Sequence, residues 1–111
     1  DGVLPDLNLG TVHGASCDEG MAQAALAAAS NSTYSTVLNG RFVGGYITRH
    51  YGKPVDHVHA IQMELTWKNY MYETVPYSYR QDKAAELQKT LQKVLQAMLD
   101  WGQKRYKADV F

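Results

Sequence analysis

The stretch NGRFVGGYITR, residues 39–49, holds the first group of side chains whose chemistry points to a ligand. Two arginines, Arg41 and Arg49, flank the glycine pair Gly44 and Gly45. A guanidinium binds a carboxylate through two parallel hydrogen bonds, and a glycine lets a backbone N–H come close to a ligand. The stretch therefore favours a site for an acidic small molecule. The alternative is that both arginines pair with Asp or Glu side chains on the surface.

A carboxylate, Glu64, lies within the otherwise apolar run IQMEL and is a second candidate for chemistry. In an extended segment it shares one face with Gln62. A carboxylate in such surroundings has to be paired or to face a solvated cleft, and a carboxylate in a cleft suits a general base. The pattern is equally compatible with a glutamate on an edge strand that faces water.

Four histidines suggest a metal, because neutral imidazole is a good ligand for zinc; they are His13, His50, His57 and His59. No HExxH or paired CxxC motif accompanies them, so we expect loop and surface histidines and no complete four-ligand site within the chain. Cys17 is either a nucleophile at a helix N-terminus or a small packing residue. Without a fixed histidine partner, we favour the packing residue.

The elements that must position these residues alternate between strand and helix. An alanine-rich segment that ends at Ser30 predicts a helix, capped by Ser16 or Asp18. Alternating apolar residues and β-branched residues predict extended segments on both sides of this helix. The predicted strands span residues 4–11, 34–39 and 58–66, and the segment GYITRHY, residues 45–51, is also strand-like.

The last part of the chain predicts a long amphipathic helix from about Asp82 to about Lys107, because its apolar residues recur at steps of three and four. We expect this helix to cover a sheet. On the strand before it, Ile61, Met63 and Leu65 share the face that we expect to be buried. The order of the elements predicts an α/β fold with a mixed sheet flanked by helices.

Bulk properties narrow the functional classes further. The 111 residues suggest a single domain, and 11 Lys plus Arg balance 11 Asp plus Glu, which argues against nucleic acid or an anionic membrane as partner. One cysteine excludes an internal disulfide and fits a reducing cytoplasm. Because the chain opens with Asp1 directly in strand-like sequence, we expect a fragment of a longer protein.

Four blocks of the sequence resemble one known family. The blocks are DLNLGTVHGASCD, VLNGRFVGGYITRHYG, HAIQMELTWKNYM and the closing amphipathic helix. Together, from about Leu4 to Trp101, they resemble the C-terminal portion of N-formylglutamate amidohydrolases, also called N-formylglutamate deformylases. Two positions depart from the family pattern: Tyr72 stands where an acidic residue is common, and His13 is unusual in its turn.

The resemblance implies a cytoplasmic hydrolase of histidine breakdown that splits N-formyl-L-glutamate into formate and L-glutamate. It implies a fold similar to part of the zinc carboxypeptidase and aspartoacylase sandwich. It also implies zinc as the cofactor, with its ligands mainly upstream of this chain. The isolated chain would then be an inactive, substrate-binding part that associates with itself or with a missing N-terminal part.

The resemblance also implies roles for individual residues. Glu64 becomes the general base or proton shuttle, by analogy with the carboxypeptidase class. The two carboxylates of the substrate give Arg41 and Arg49 a role in binding, with Asn39 as a polar contact. Gly44 and Gly45 would allow close approach to the substrate. Other functions remain open: a module that binds an acidic metabolite, an inactive structural fragment, or an amidohydrolase of another N-acyl amino acid.

Overall fold

Three short strands and three α-helices form the part of the chain that the structure describes. The structure is a computed structural model that describes residues 3–110, without the side chains of residues 108–110. In chain order the elements are β1 (Leu7–Gly10), α1 (Glu19–Ser30), β2 (Thr36–Leu38), α2 (Tyr46–Tyr51), β3 (Gln62–Leu65) and α3 (Gln81–Val110). Two 3₁₀ helices, Pro54–Asp56 and Trp67–Asn69, flank β3.

The sheet has β1 in its centre, and its strand order is β2-β1-β3. Strand β1 is parallel to β2 and antiparallel to β3, so the predicted mixed sheet within an α/β arrangement is confirmed. Asn8 pairs with Glu64, and Gly10 pairs with Gln62. Because directly paired residues point to the same side of a sheet, these four residues share one face.

The opposite face of β1 forms the hydrophobic core. Leu7 and Leu9 are fully buried there, and they pack with small side chains of α1 and with Leu87 and Val94 of α3. The predicted inward face of β3 is confirmed, because its apolar side chains, although half-buried, pack against the same core. Removing a leucine such as Leu9 from this core would cost about 2–5 kcal/mol of stability.

The start of α1 is capped by Asp18, whose Oδ1 accepts a hydrogen bond of 2.7 Å from the Gly20 N–H. Ser16, the other predicted cap, instead donates its hydroxyl to the Ala60 carbonyl at 2.8 Å. Cys17 is buried beside this cap, and burial, together with the charges of Asp18 and Glu19, raises the pKa of its thiol to about 11. Cys17 is therefore a protonated packing residue at neutral pH, as favoured from the sequence.

The prediction of a strand in GYITRHY is wrong, because residues Tyr46–Tyr51 form the helix α2. Its aromatic and β-branched residues favour a strand in isolation, but tertiary packing overrides that preference. Thr48 is the one buried residue of α2. At the end of the helix, Gly52 lies so close to Ser16 that an added Cβ would come within 2.6 Å of the Ser16 carbonyl oxygen.

The three correctly predicted strands are shorter than expected. Residues 58–61, assigned to the third strand, lie outside β3 and bond elsewhere. Val58 forms an isolated antiparallel bridge with Lys53, and the Ala60 N–H donates to the Ser16 carbonyl at 2.8 Å. The alternating pattern of residues 58–66 therefore covers two segments with different partners: residues 58–61 bond to Lys53 and Ser16, and β3 pairs with β1.

Helix α3 agrees with its predicted limits to within a few residues and packs mainly along α1. Its apolar stripe is only partly covered, because Leu95 and Leu99 are 59% and 63% exposed. Although α3 has 30 residues, neither it nor another helix within residues 3–110 has an apolar stretch long enough to cross a membrane.

His59 differs from the other three histidines, which are exposed as expected. Its half-buried ring accepts a hydrogen bond at Nδ1 from the Asp18 N–H, at 3.0 Å, and its Nε2 lies 2.8 Å from the Tyr106 hydroxyl. The ring also contacts Trp101 edge-on. His59 thus connects the beginning of α1 with the last turns of α3.

We predict that His59 makes the folded state sensitive to acid. Burial lowers the pKa of His59, as do the charges of His57 and Arg105, while Asp18 opposes the shift. The unfolded chain then binds a proton that the folded chain does not, so this contribution is fully present above about pH 6.5 and is lost as the pH falls below it. Urea unfolding between pH 8 and pH 5 measures the loss.

The matched variants for this prediction are His59→Phe and His13→Asn. Phenylalanine keeps a ring beside Trp101 but cannot be protonated, so the decrease in stability between pH 7 and pH 5 should become smaller. Asparagine suits the positive φ of His13, whose side chain is exposed, and should leave the decrease unchanged. The same pH dependence in His59→Phe and the unmodified chain would contradict the assignment.

Candidate functional site

The predicted site residues gather where a loop, residues 39–45, crosses the carboxyl end of β1. The Val12 N–H donates to the Val43 carbonyl at 2.7 Å. A Cβ added to Gly10 would lie 2.6 Å from the Val43 carbonyl carbon, so this close crossing requires glycine. In open α/β sheets, ligands bind outside the carboxyl ends of strands, and this loop lies at such an end.

Asn39 fastens this loop to the turn that follows β1. Its Oδ1 accepts hydrogen bonds from the backbone N–H groups of Thr11, at 2.9 Å, and His13, at 3.4 Å. Its Nδ2 donates to the Thr11 hydroxyl at 2.9 Å. Val12 and His13 have φ angles of 51° and 52°, a conformation that needs such support in residues with a Cβ. The structure thus gives Asn39 an internal positioning role, and its substrate contact stays a prediction.

The peptide group between Gly44 and Gly45 is held at both ends. Its carbonyl accepts a hydrogen bond of 3.1 Å from Nε of Arg49, and its N–H donates to Oε1 of Gln62 at 2.6 Å. The structure therefore brings Gly44, Gly45 and Arg49 together, as the sequence suggested. The Gly45 N–H, however, is already engaged by a side chain from β3.

Both candidate arginines are exposed, and neither forms an ion pair with an acidic side chain of residues 3–107. The described ion pairs join Lys68 to Asp6 and Lys89 to Glu86. Arg49 uses only its Nε internally, so its two terminal nitrogens can still donate to a ligand. The surface-pairing alternative thus finds no support in the described part of the chain.

Glu64 is exposed on β3, an edge strand of the described sheet, and faces a pocket of about 300 Å³. Asn8, Phe42, Trp67 and Glu73 also line this pocket. Glu64 therefore lies on an edge strand of the described sheet and at a pocket, and its role as a general base stays a prediction. Phe42 belongs to the loop of residues 39–45, so the pocket adjoins the loop that carries Arg41.

Two polar residues of the same sheet face were not among the candidates. Asn8 is 2% exposed, and its Nδ2 donates to the carbonyls of Pro5, at 2.9 Å, and Glu64, at 3.4 Å, while no described residue donates to its buried Oδ1. Gln62 binds the Gly45 N–H. The signal for Gln62 was its place two residues before Glu64 on one face of a strand.

A larger pocket, of about 700 Å³, contains none of the residues predicted to bind or act on the substrate, although His57 and His59 line it. It lies between the start of α1, the loop around His57 and the end of α3, and its lining is mostly apolar. It carries no arginine, so it does not match the chemistry expected for an acidic ligand.

The side chains of residues 3–107 do not supply a metal centre. No group of three or more His, Cys, Asp or Glu in that range is arranged to hold a metal ion. Structural and catalytic zinc sites need three or four such ligands, so the donor set of this part does not fit zinc by itself.

The overall arrangement is shared with a solved hydrolase structure. N-formylglutamate amidohydrolase from Ralstonia eutropha JMP134 superposes with a TM-score of 0.72, over 95% of this chain and 36% of the other, at 18% sequence identity. At that identity, the likeness identifies the fold and no more. The class of the fold is therefore that of an α/β segment found within a larger hydrolase.

The sequence comparison identifies the family. The family model for N-formylglutamate amidohydrolase matches residues 1–71, and the chain belongs to this family. Two proteins named N-formylglutamate deformylase are similar to 96% of the chain: one from Pseudomonas putida at 54% identity and one from Pseudomonas aeruginosa at 52%. The chain spans about 40% of the length of these curated relatives.

We predict that Asn39→Ala destabilises the loop at the end of β1. The change removes three hydrogen bonds and places alanine at a φ of 54°, which together should lower the free energy of unfolding by about 2–4 kcal/mol. Urea unfolding measures the difference. Asn39→Asp is the matched variant: its carboxylate can accept both N–H groups, and the Thr11 hydroxyl can turn to donate. Equal losses in the two variants would contradict the role assigned to the side chain.

Proposed function

We propose that the complete protein hydrolyses N-formyl-L-glutamate to formate and L-glutamate. The observation that carries this proposal is the identity of 54% and 52% to two proteins named N-formylglutamate deformylase, over 96% of this chain. The arginine-bearing loop and Glu64 both lie within residues 1–71, the range that matches the family. Because the chain spans about 40% of those relatives, the activity is assigned to the whole protein.

The substrate has two carboxylates, and two arginines lie close to each other in the chain: Arg41 on the loop of residues 39–45 and Arg49 on helix α2. Arg49 is held at Nε by the Gly44 carbonyl, which leaves a pre-oriented pair of terminal nitrogens for one carboxylate. Arg41 is exposed on the loop of residues 39–45, with no acidic partner among the described residues. In this proposal Arg41 and Arg49 bind the acidic groups, and Gly44 lets the loop pass close to Val12 and Thr48.

Glu64 is proposed as the general base. Its carboxylate takes a proton from the attacking water, whose oxygen bonds to the formyl carbon, and it then returns that proton to the leaving nitrogen as the carbon–nitrogen bond breaks. Formate and the amine of L-glutamate are the products. The support for this role is the solvated pocket that Glu64 shares with Asn8 and Phe42.

Further parts of the proposal concern the remainder of the protein. Zinc is proposed as the cofactor, with ligands outside this chain, and we assign no step to it because the described residues do not form its site. The complete fold is proposed to be a sandwich of the zinc carboxypeptidase and aspartoacylase kind. Cytoplasmic location and a place in histidine breakdown are proposed on the resemblance alone.

The partner that we propose for this chain is the remaining part of the hydrolase. Strands β2 and β3 form the edges of the described sheet and can pair with further strands. The exposed Leu95 and Leu99 of α3 add an apolar surface that association would cover. Sedimentation of the 111-residue chain tests for the alternative partner, a second copy of the same chain. A dimer would show that the chain can also pair with itself.

Formate release from N-formyl-L-glutamate tests the proposed function. We expect release by the product of the complete reading frame and none by the 111-residue chain alone. N-acetyl-L-glutamate and N-succinyl-L-glutamate are the comparison substrates, since a pocket built for a formyl group excludes larger acyl groups. Faster turnover of either comparison substrate would replace the proposed activity with that of another N-acyl amino acid hydrolase.

We predict that Glu64→Gln lowers kcat by about 10²–10⁴-fold, because glutamine keeps the shape of the side chain but cannot accept the proton of water. The dissociation constant for L-glutamate should change by less than about threefold, since no charge that binds the substrate is removed. Steady-state kinetics and calorimetry measure the two effects. Glu73→Gln alters a second carboxylate in the same pocket and should retain turnover. An active Glu64→Gln variant would remove Glu64 from the mechanism.

We predict that Arg49→Ala weakens binding of acidic substrates by about 10–100-fold, the value of one or two charged hydrogen bonds. Competition between N-formyl-L-glutamate and N-formyl-L-methionine measures the preference for an acidic side chain. Arg105→Ala, at an exposed position on α3, is the control and should keep that preference. A preference that survives in Arg49→Ala would show that Arg49 does not bind the acidic group.

A further inference from the structure

We propose that Gln62 binds the substrate directly. In this proposal its side-chain Nε2 donates a hydrogen bond to the α-carboxylate of the substrate, while its Oε1 holds the loop of residues 39–45. The inference rests on the proposed acidic substrate. It adds to the two arginines a neutral donor that comes from strand β3.

The orientation of the Gln62 amide is fixed by its contact with the loop. Oε1 accepts the Gly45 N–H at 2.6 Å. A flipped amide would place its NH₂ group against that N–H, two donors facing each other, so the contact determines which end is oxygen. Nε2 therefore points away from the Gly45 N–H, in a direction set by the strand and the loop together.

The Nε2 group is available for a ligand. Gln62 is half-buried, and no residue within the described range accepts a hydrogen bond from its Nε2. A partly buried amide donor gains most from an acceptor that carries charge, because hydrogen bonds to ionised groups are stronger than those between neutral groups. A carboxylate oxygen is such an acceptor.

The position of Gln62 explains which carboxylate it meets. Gln62 and Glu64 are two residues apart on one face of β3, so their Cα atoms are about 6.6 Å apart along the strand. If Glu64 acts at the formyl group, the nearest carboxylate of the substrate is the α-carboxylate, since it is bonded to the carbon that carries the reacting amide. Arg49, on the other end of the Gly44–Gly45 peptide group, then faces the more distant carboxylate.

Two variants separate donation to the substrate from support of the loop. In Gln62→Glu, a carboxylate oxygen still accepts the Gly45 N–H, but the NH₂ donor is replaced by a second negative oxygen. In Gln62→Met, a side chain of similar length makes neither contact. Thermal unfolding shows whether the loop is retained: we expect Gln62→Glu to melt within about 2 °C of the unmodified protein, and Gln62→Met to melt several degrees lower.

The test measures binding of L-glutamate by calorimetry, using the product of the complete reading frame. We expect Gln62→Glu to bind L-glutamate at least about tenfold more weakly, with the difference reduced for L-isoglutamine, whose α-carboxyl group is an amide. Unchanged affinity for L-glutamate in Gln62→Glu would overturn the inference and leave Gln62 as a purely structural residue.

The binding measurement also separates this inference from the proposed activity. If the unmodified protein binds L-glutamate and Gln62→Glu does not, but N-formyl-L-glutamate is not hydrolysed, the proposed activity fails and the inference stands. If the unmodified protein binds no L-glutamate, the inference is overturned, whichever N-formyl compound is hydrolysed.

Discussion

The central position of β1 is the constraint on which the rest of the structure depends. One face of this four-residue strand is filled by Leu7 and Leu9, which hold α1 and α3 against the sheet. On the other face, the lack of a side chain at Gly10 lets Val43 cross directly over the strand. The core and the candidate site are therefore built on alternate residues of one strand, and a shift of one position would destroy both.

Those parts of the fold that depend on local pattern could be predicted from the sequence. The alanine-rich α1, its Asp18 cap and the long α3 follow from helix propensity and apolar periodicity over several turns. The segment Tyr46–Tyr51 could not, since six residues are too few to show a helical period, and its composition favours a strand. The predicted strand limits were also too wide. The alternation of residues 58–66 begins at Val58, which pairs with Lys53 instead of with β1.

The candidate site shows the same division between local and distant contacts. Arg49 and Gly44 lie close together because only five positions separate them in the chain, and the sequence alone placed them in one group. The contact of the Gly45 N–H with Gln62 depends on how β3 lies beside β1, which no local pattern reports. Asn39 was predicted as a polar contact to the substrate, but in the structure its side chain hydrogen-bonds to Thr11 and His13. Such internal use of polar side chains is visible only in the folded chain.

The pairing of Asn8 with Glu64 has a consequence for the way in which the protein is made. These residues are neighbours across the sheet although 56 positions separate them in the chain. Loop closure over that distance is entropically unfavourable and slow compared with formation of α1. During synthesis from the N-terminus, Leu7 and Leu9 leave the ribosome well before their partners in β3 and α3 exist. A chaperone that shields residues 7–9 until those partners form would therefore raise the yield of folded protein without contacting the candidate site.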